Sequence, residues 1–91
     1  MLSVVWTDEA RCDLLSIIRY VAERNPSAAV QLGRTIEEST WPLPEHPYLF
    51  RPGRVAGTRE IVAHRNYIVV YRVELACIEI LRVLHVRQEY P

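Results

Sequence analysis

The chain reads as an α+β domain of order β-α-α-β-β-β, a helical hairpin packed on a small, mostly antiparallel sheet. Three observations predict it. Apolar residues recur at helical spacing from Ala10 to Thr40, interrupted once at Asn25-Pro26. β-Branched and aromatic runs then fill Thr58 to Val86, broken by two short turns. Between these halves lies a loop marked by Pro42, Pro44, Pro47, Pro52, Gly53 and Gly57.

Each element has its own local cause. Leu2 to Trp6 is short and β-branched, which suits a strand. Thr7 is placed as a helix N-cap, with Asp8 and Glu9 in the first turn, where the helix dipole favours negative charge. Ala10, Leu14, Ile17, Ile18 and Val21 form an apolar stripe, and Arg11, Asp13, Ser16, Glu23 and Arg24 take the other side. Asn25 caps a second helix, with Pro26 at its first position, where no amide hydrogen is needed. Ala29, Leu32, Ile36 and Thr40 line its apolar side, and Pro42 is its expected end. So short a connection makes the two helices antiparallel. Thr58–His64, Tyr67–Val73 and Cys77–Val86 are the predicted strands. Their short connections, "RN" and "ELA", make two successive hairpins.

With 91 residues, the chain has the length of one small domain, expected to span residues 1–91. Hydrophobic residues make up 49%, enough to argue for a folded globule rather than disorder. Cys12 and Cys77 stand far apart with no Cys/His ligand spacing, so neither a zinc site nor any other metal or cofactor is expected. "MLSVVW" has no basic segment or long apolar run of the kind that opens a secretory signal. The expectation is a cytoplasmic protein with two free thiols and no membrane segment.

The formal net charge is zero, but it is unevenly spread. Up to Phe50 there are four Arg against seven acidic residues; from Arg51 onward there are seven Arg against four Glu. A basic second half points to an anionic partner, with ordinary scatter as the alternative. Every basic residue apart from histidine is Arg. Arg offers a planar fork to carboxylate or phosphate, although genome composition accounts for the bias better than selection for recognition does.

Alternation along the strands sorts the remaining candidates. Ile78, Ile80, Arg82, Leu84 and Val86 are expected on one face of the last strand, and Glu79, Leu81, Val83, His85 and Arg87 on the other. With apolar residues on both faces, this strand is expected to be interior and covered on both sides. Arg82 then needs a carboxylate partner such as Glu60, or else serves as an anion-binding residue. His85 lies at the strand end, either as a base or as an ordinary polar residue; His64 is expected to be exposed. Tyr67 and Tyr71 share a face, placed for stacking or for packing. There is no P-loop, GxSxG or HExxH motif.

"VVWTDEARCDLLSIIRYV", "RPGRVAGTREIVAHRNYIVVYRV" and "IEILRVLHVRQEYP" together resemble the ParE/RelE superfamily of bacterial type II toxins, and the last two most resemble the ParE branch. The resemblance covers nearly the full chain. It implies one of two activities. RelE-type toxins are metal-independent endoribonucleases that cut messenger RNA on the ribosome. ParE-type toxins inhibit DNA gyrase and are neutralised by a ParD-type antitoxin. In the RNases the stretch matching "YIVVY" typically carries an Arg where this chain has Ile68, and an aliphatic side chain cannot stabilise a phosphorane. The ParE branch therefore implies no catalytic residue, with Arg59, Glu60, Arg82 and His85 as the set for the RNase alternative. It implies target binding through Arg54, Arg59, Tyr67, His85 and Arg87. Antitoxin binding is expected at Leu15, Ile18, Tyr20 and Leu32, in a heterotetramer or larger assembly. Direct nucleic-acid binding stays open.

Overall fold

A computed structural model of the chain describes residues 2–90. Met1 and Pro91, the ends of the expected 1–91 domain, lie outside the described residues. Strand β1 (Ser3–Trp6) stops where Thr7 turns the chain into helix α1 (Asp8–Ala22). The Thr7 Oγ1 accepts from the Ala10 amide at 3.1 Å and donates to the Leu81 carbonyl at 3.1 Å, so one side chain caps the helix and ties it to the sheet. Asn25 repeats the device for helix α2 (Pro26–Glu38), accepting from the Ala28 amide at 3.0 Å. This helix ends four residues before Pro42. Thr40 does not continue its stripe; it is buried in the turns that follow.

The loop is more structured than its prolines predict. It buries Leu43 completely, and the Pro47 carbonyl accepts from the Tyr71 hydroxyl at 2.7 Å. It also holds a strand that the sequence does not announce, β2 (Arg51–Pro52). β2 pairs antiparallel with β3 (Arg59–His64), placing Arg51 beside Glu60. Gly53 and Gly57 make the turn between them. A side chain at Gly53 would meet the Thr58 Oγ1 at 2.3 Å, and Gly57 has φ of 82°.

Strands β4 (Tyr67–Val73) and β5 (Cys77–His85) complete a five-stranded sheet of order β1-β5-β4-β3-β2. Only the β1–β5 pair is parallel. The helical hairpin covers one face. There Leu14, Ile36, Leu43, Tyr71, Ile78 and Ile80 form the centre of the core. Each aliphatic side chain so buried contributes roughly 1.5–3 kcal/mol relative to exposure. On the other face Ile68, Val70 and Leu84 form a smaller cluster, with Leu81 and Tyr90 packed against it. The last strand is interior and packed on both sides, as its apolar pattern predicts.

Its alternation is broken, however. Val70 pairs with Arg82 and Tyr71 with Ile80, leaving Leu81 as an extra residue. The expected single face of Ile78, Ile80, Arg82 and Leu84 therefore splits. Ile78 and Ile80 stay with the helix-side core and are joined there by Val83, while Leu84 goes to the opposite cluster.

Candidate functional site

Arg82 resolves first. Its Nε donates to Asp13 Oδ2 at 2.7 Å and its Nη2 to Asp13 Oδ1 at 3.2 Å, with Glu9 at 3.8 Å. Asp13 also accepts from the Val83 amide at 2.9 Å. The reason lies in the sheet edge. β1 pairs with β5 only as far as Ile80, so the next outward amide of β5 needs a partner, and α1 supplies a carboxylate. The hydrogen bond to Asp13 holds the guanidinium even more firmly cationic than usual. The expected Glu60 partner is replaced because Glu60 is already engaged. It is only 4% exposed, accepts from Arg51 Nη2 at 3.0 Å and lies 3.9 Å from Arg54 Nε.

Arg54 and Arg59 also work inside the fold. Arg54 Nη1 reaches the Gln88 and Tyr90 carbonyls at 3.4 and 3.3 Å, pinning the C-terminal tail across the second face of the sheet. Arg59 Nη1 donates to the Phe50 carbonyl at 2.8 Å, and its guanidinium lies 5.0 Å from the Tyr48 ring centroid. Arg59, Glu60, Arg82 and His85 are thus not gathered into one site. By register, Arg59 lies opposite Tyr71 and His85 opposite Tyr67, four positions apart along β4, or roughly 13 Å. Ile68 is 2% exposed within the smaller apolar cluster.

Tyr67 and His85 do meet. Their ring centroids are 5.4 Å apart in an edge-to-face arrangement, and His64 packs on the other side of Tyr67 at 5.9 Å. His64 Nδ1 accepts from the Asn66 amide and His85 Nδ1 from the Arg87 amide, both at 3.1 Å. Each neutral imidazole therefore carries its proton on Nε2. His64 is half-buried and part of this trio rather than simply exposed. Arg65 and Arg87 flank it, exposed and with no carboxylate partner among the described residues. Tyr71, by contrast, belongs wholly to the core, where burial pushes its phenol up from the usual value and Arg59 pulls the other way.

Beside the trio, an open cleft of ≈ 670 Å³ separates α1 from the ends of β4 and β5. Ile17, Val21 and Val83 line it together with Tyr20, Tyr67 and His85. A second surface lies where α1 meets the end of α2. Leu15 faces outward there at 52% exposure and Ile18 and Leu32 pack partly against the core, whereas Tyr20, 58% exposed, belongs to the first cleft. The sequence reading passes over Trp41, 70% exposed, which lines grooves on both of its sides: Trp6 and Leu15 on one, Ala29 and Val30 on the other. An indole between a helix end and a proline was the available signal. Among the described residues no group of His, Cys, Asp and Glu is arranged to hold a metal ion, and no helix is long and apolar enough to cross a membrane.

A two-helix layer on one face of a five-stranded, mostly antiparallel sheet is the fold of a solved structure described as the chromosomal ParDE TA system from P. aeruginosa. The TM-score is 0.87, with 30% identity over 96% of this chain and 98% of that one. Residues 4–90 match the family described as ParE toxin of type II toxin–antitoxin system, parDE. The putative toxin Y4kP of Sinorhizobium fredii is 38% identical over 94% of this chain and 90% of its own length. Toxin RelE2 of Caulobacter vibrioides is 32% identical over 93% of this chain and 96% of its own. The chain belongs to the ParE toxin family and is a type II toxin–antitoxin toxin.

Proposed function

We propose that this chain, as one toxin domain over residues 1–91, inhibits DNA gyrase by protein binding and is neutralised by a ParD-like antitoxin. The carrying observation is the dispersal of the RNase candidates. Arg82 is held by Asp13, Glu60 by Arg51, and Arg59 by loop carbonyls, while His85 stands at the far end of the sheet. A buried Ile68 in place of a phosphate-binding Arg supports the same reading. The antitoxin covers the apolar surface around Leu15, extended to Trp41, and its own dimerisation makes the complex a heterotetramer or larger. The neighbour described as a ParDE system supports that partner. The working compartment is the cytoplasm, where gyrase acts.

A supercoiling and cleavage-complex assay with pure gyrase and toxin, with and without the protein encoded beside it, tests the proposal. Inhibition relieved by that protein is expected; undiminished supercoiling at excess toxin overturns it. The second reading, a ribosome-dependent mRNA endonuclease, draws support from the relative named RelE2 and from the half-buried Tyr67–His85 pair beside the cleft. Fresh transcript cuts in the presence of ribosomes would establish it instead.

A further inference from the structure

The second half of the chain carries seven Arg, and most have their charge engaged within the fold. Arg51 and Arg54 hold Glu60, Arg59 holds loop carbonyls, Arg72 pairs with Glu74 at 4.0 Å, and Arg82 holds Asp13. Arg65 and Arg87 are left, and both sit at the end of the sheet that bears the His64–Tyr67–His85 trio. The charge asymmetry of the sequence is thus concentrated at one place on the surface.

The chemistry of that place is one-sided. The two imidazoles have their Nδ1 acceptors occupied by backbone amides, so each offers a donor, Nε2–H, to a partner. The two guanidinium groups offer donors only. Arg24 adds a third, stacked 4.0 Å from the Tyr20 ring centroid where Tyr20 lines the cleft. Asp13 is the one carboxylate lining the cleft among the described residues, and it is already bonded to Arg82 and the Val83 amide. Next to these donors, Ile17, Val21 and Val83 give the cleft an apolar patch, bordered by the polar Ser16, Asn66 and Gln88.

We infer that the cleft between α1 and the ends of β4 and β5, lined by Tyr67 and His85 and flanked by Arg65 and Arg87 in the adjoining turns, is the target-docking site, and that its occupant is an acidic protein segment carrying an apolar anchor. The anchor packs against Ile17, Val21 and Val83, and its flanking carboxylates meet the guanidinium and imidazole donors. This rests on the reading of the chain as a toxin that acts by binding a protein. It narrows that reading: Arg54 and Arg59 hold the fold, whereas Arg65 and Arg24 join the docking surface. An acidic protein segment is favoured over a nucleic acid because the donors lie beside the apolar patch that Ile17, Val21 and Val83 form within the cleft. The three rings, moreover, pack against one another instead of standing apart as separate platforms for bases.

The test is induced expression in bacteria of the wild-type chain, the double charge reversal Arg65→Glu/Arg87→Glu, and Tyr67→Ala. Arg72→Glu serves as a control reversal at the other end of the sheet. Each purified protein is checked by its melting temperature, and the double reversal, on exposed positions, keeps the test sound if Tyr67→Ala unfolds. Growth arrest is expected to need about tenfold more double-reversal toxin than wild type, as for loss of charge steering at an interface rim. Arg72→Glu should behave as wild type. Undiminished arrest by the double reversal, or an equal loss with Arg72→Glu, overturns the site. Tight binding of a labelled oligothymidylate by wild type, abolished by the reversal, overturns the protein occupant in favour of nucleic acid. Loss of arrest in the reversal with gyrase untouched by wild type would leave the docking site standing and remove gyrase as its target. Equal gyrase inhibition by wild type and reversal would do the opposite.

Discussion

At the end of the sheet where β2 joins β3, Arg51, Arg54 and Arg59 turn inward onto Glu60, the C-terminal tail and the loop carbonyls. At the opposite end Arg65 and Arg87 stand exposed beside a knot of aromatic rings. One residue type therefore does two jobs in one small sheet. Arg51 and Arg54 close over the thinly covered second face of the sheet and Arg59 braces the loop on the helix side, whereas Arg65 and Arg87 have no carboxylate partner among the described residues. A count of charges along the chain treats both groups alike, and only their partners separate them.

Breaking the inward contacts should cost stability, and the largest loss is expected at Asp13. Asp13→Ala leaves Arg82 with only the exposed Glu9 at 3.8 Å and the Val83 amide without an acceptor, which should lower unfolding free energy by about 3 kcal/mol in urea titrations. A loss no greater than that of an exposed ion pair would mean that the β5 edge is satisfied in another way. Glu60→Ala frees Arg51 and Arg54 together and should cost about 2 kcal/mol. Because Arg54 also pins the tail, trypsin should cut after Arg87 sooner in this variant than in wild type.

Tyr71→Phe removes a hydrogen bond to Pro47 worth about 1 kcal/mol. It should also change the alkaline limb of stability. Burial raises the folded phenol above its unfolded value of 10.0, so the neutral ring's contribution is fully present below that pH and fades as pH rises through the higher folded value. Melting curves across that range should fall for wild type and flatten for Tyr71→Phe. At the outward end, Arg65→Ala and Arg87→Ala should each change stability by less than about 0.5 kcal/mol. A larger loss at either would erase the contrast between the two ends.

The element order was legible because its causes are local. Thr7 and Asn25 cap helices through amides three residues on, and Pro26 needs no partner at all. The turn between β3 and β4 announces itself in the same short-range way. The candidate site was legible only in part. Tyr67 and His85 were named for their chemistry, and register brings them together. Trp41 has a local signal for its place, between a helix end and Pro42, but nothing local tells an exposed indole from a buried one.

By itself, then, the sequence determined the two helices, the three long strands and the excess of arginine in the second half, since periodicity and capping act over a few residues. Tertiary structure alone decided which arginines are engaged, why Asp13 rather than Glu60 holds Arg82, and where Leu81 breaks the alternation of β5. Those outcomes depend on pairings up to 70 residues apart in the chain, such as Asp13 with Val83. No local preference encodes such a pairing; it follows from which strand edges and buried charges the packed fold leaves in need of partners.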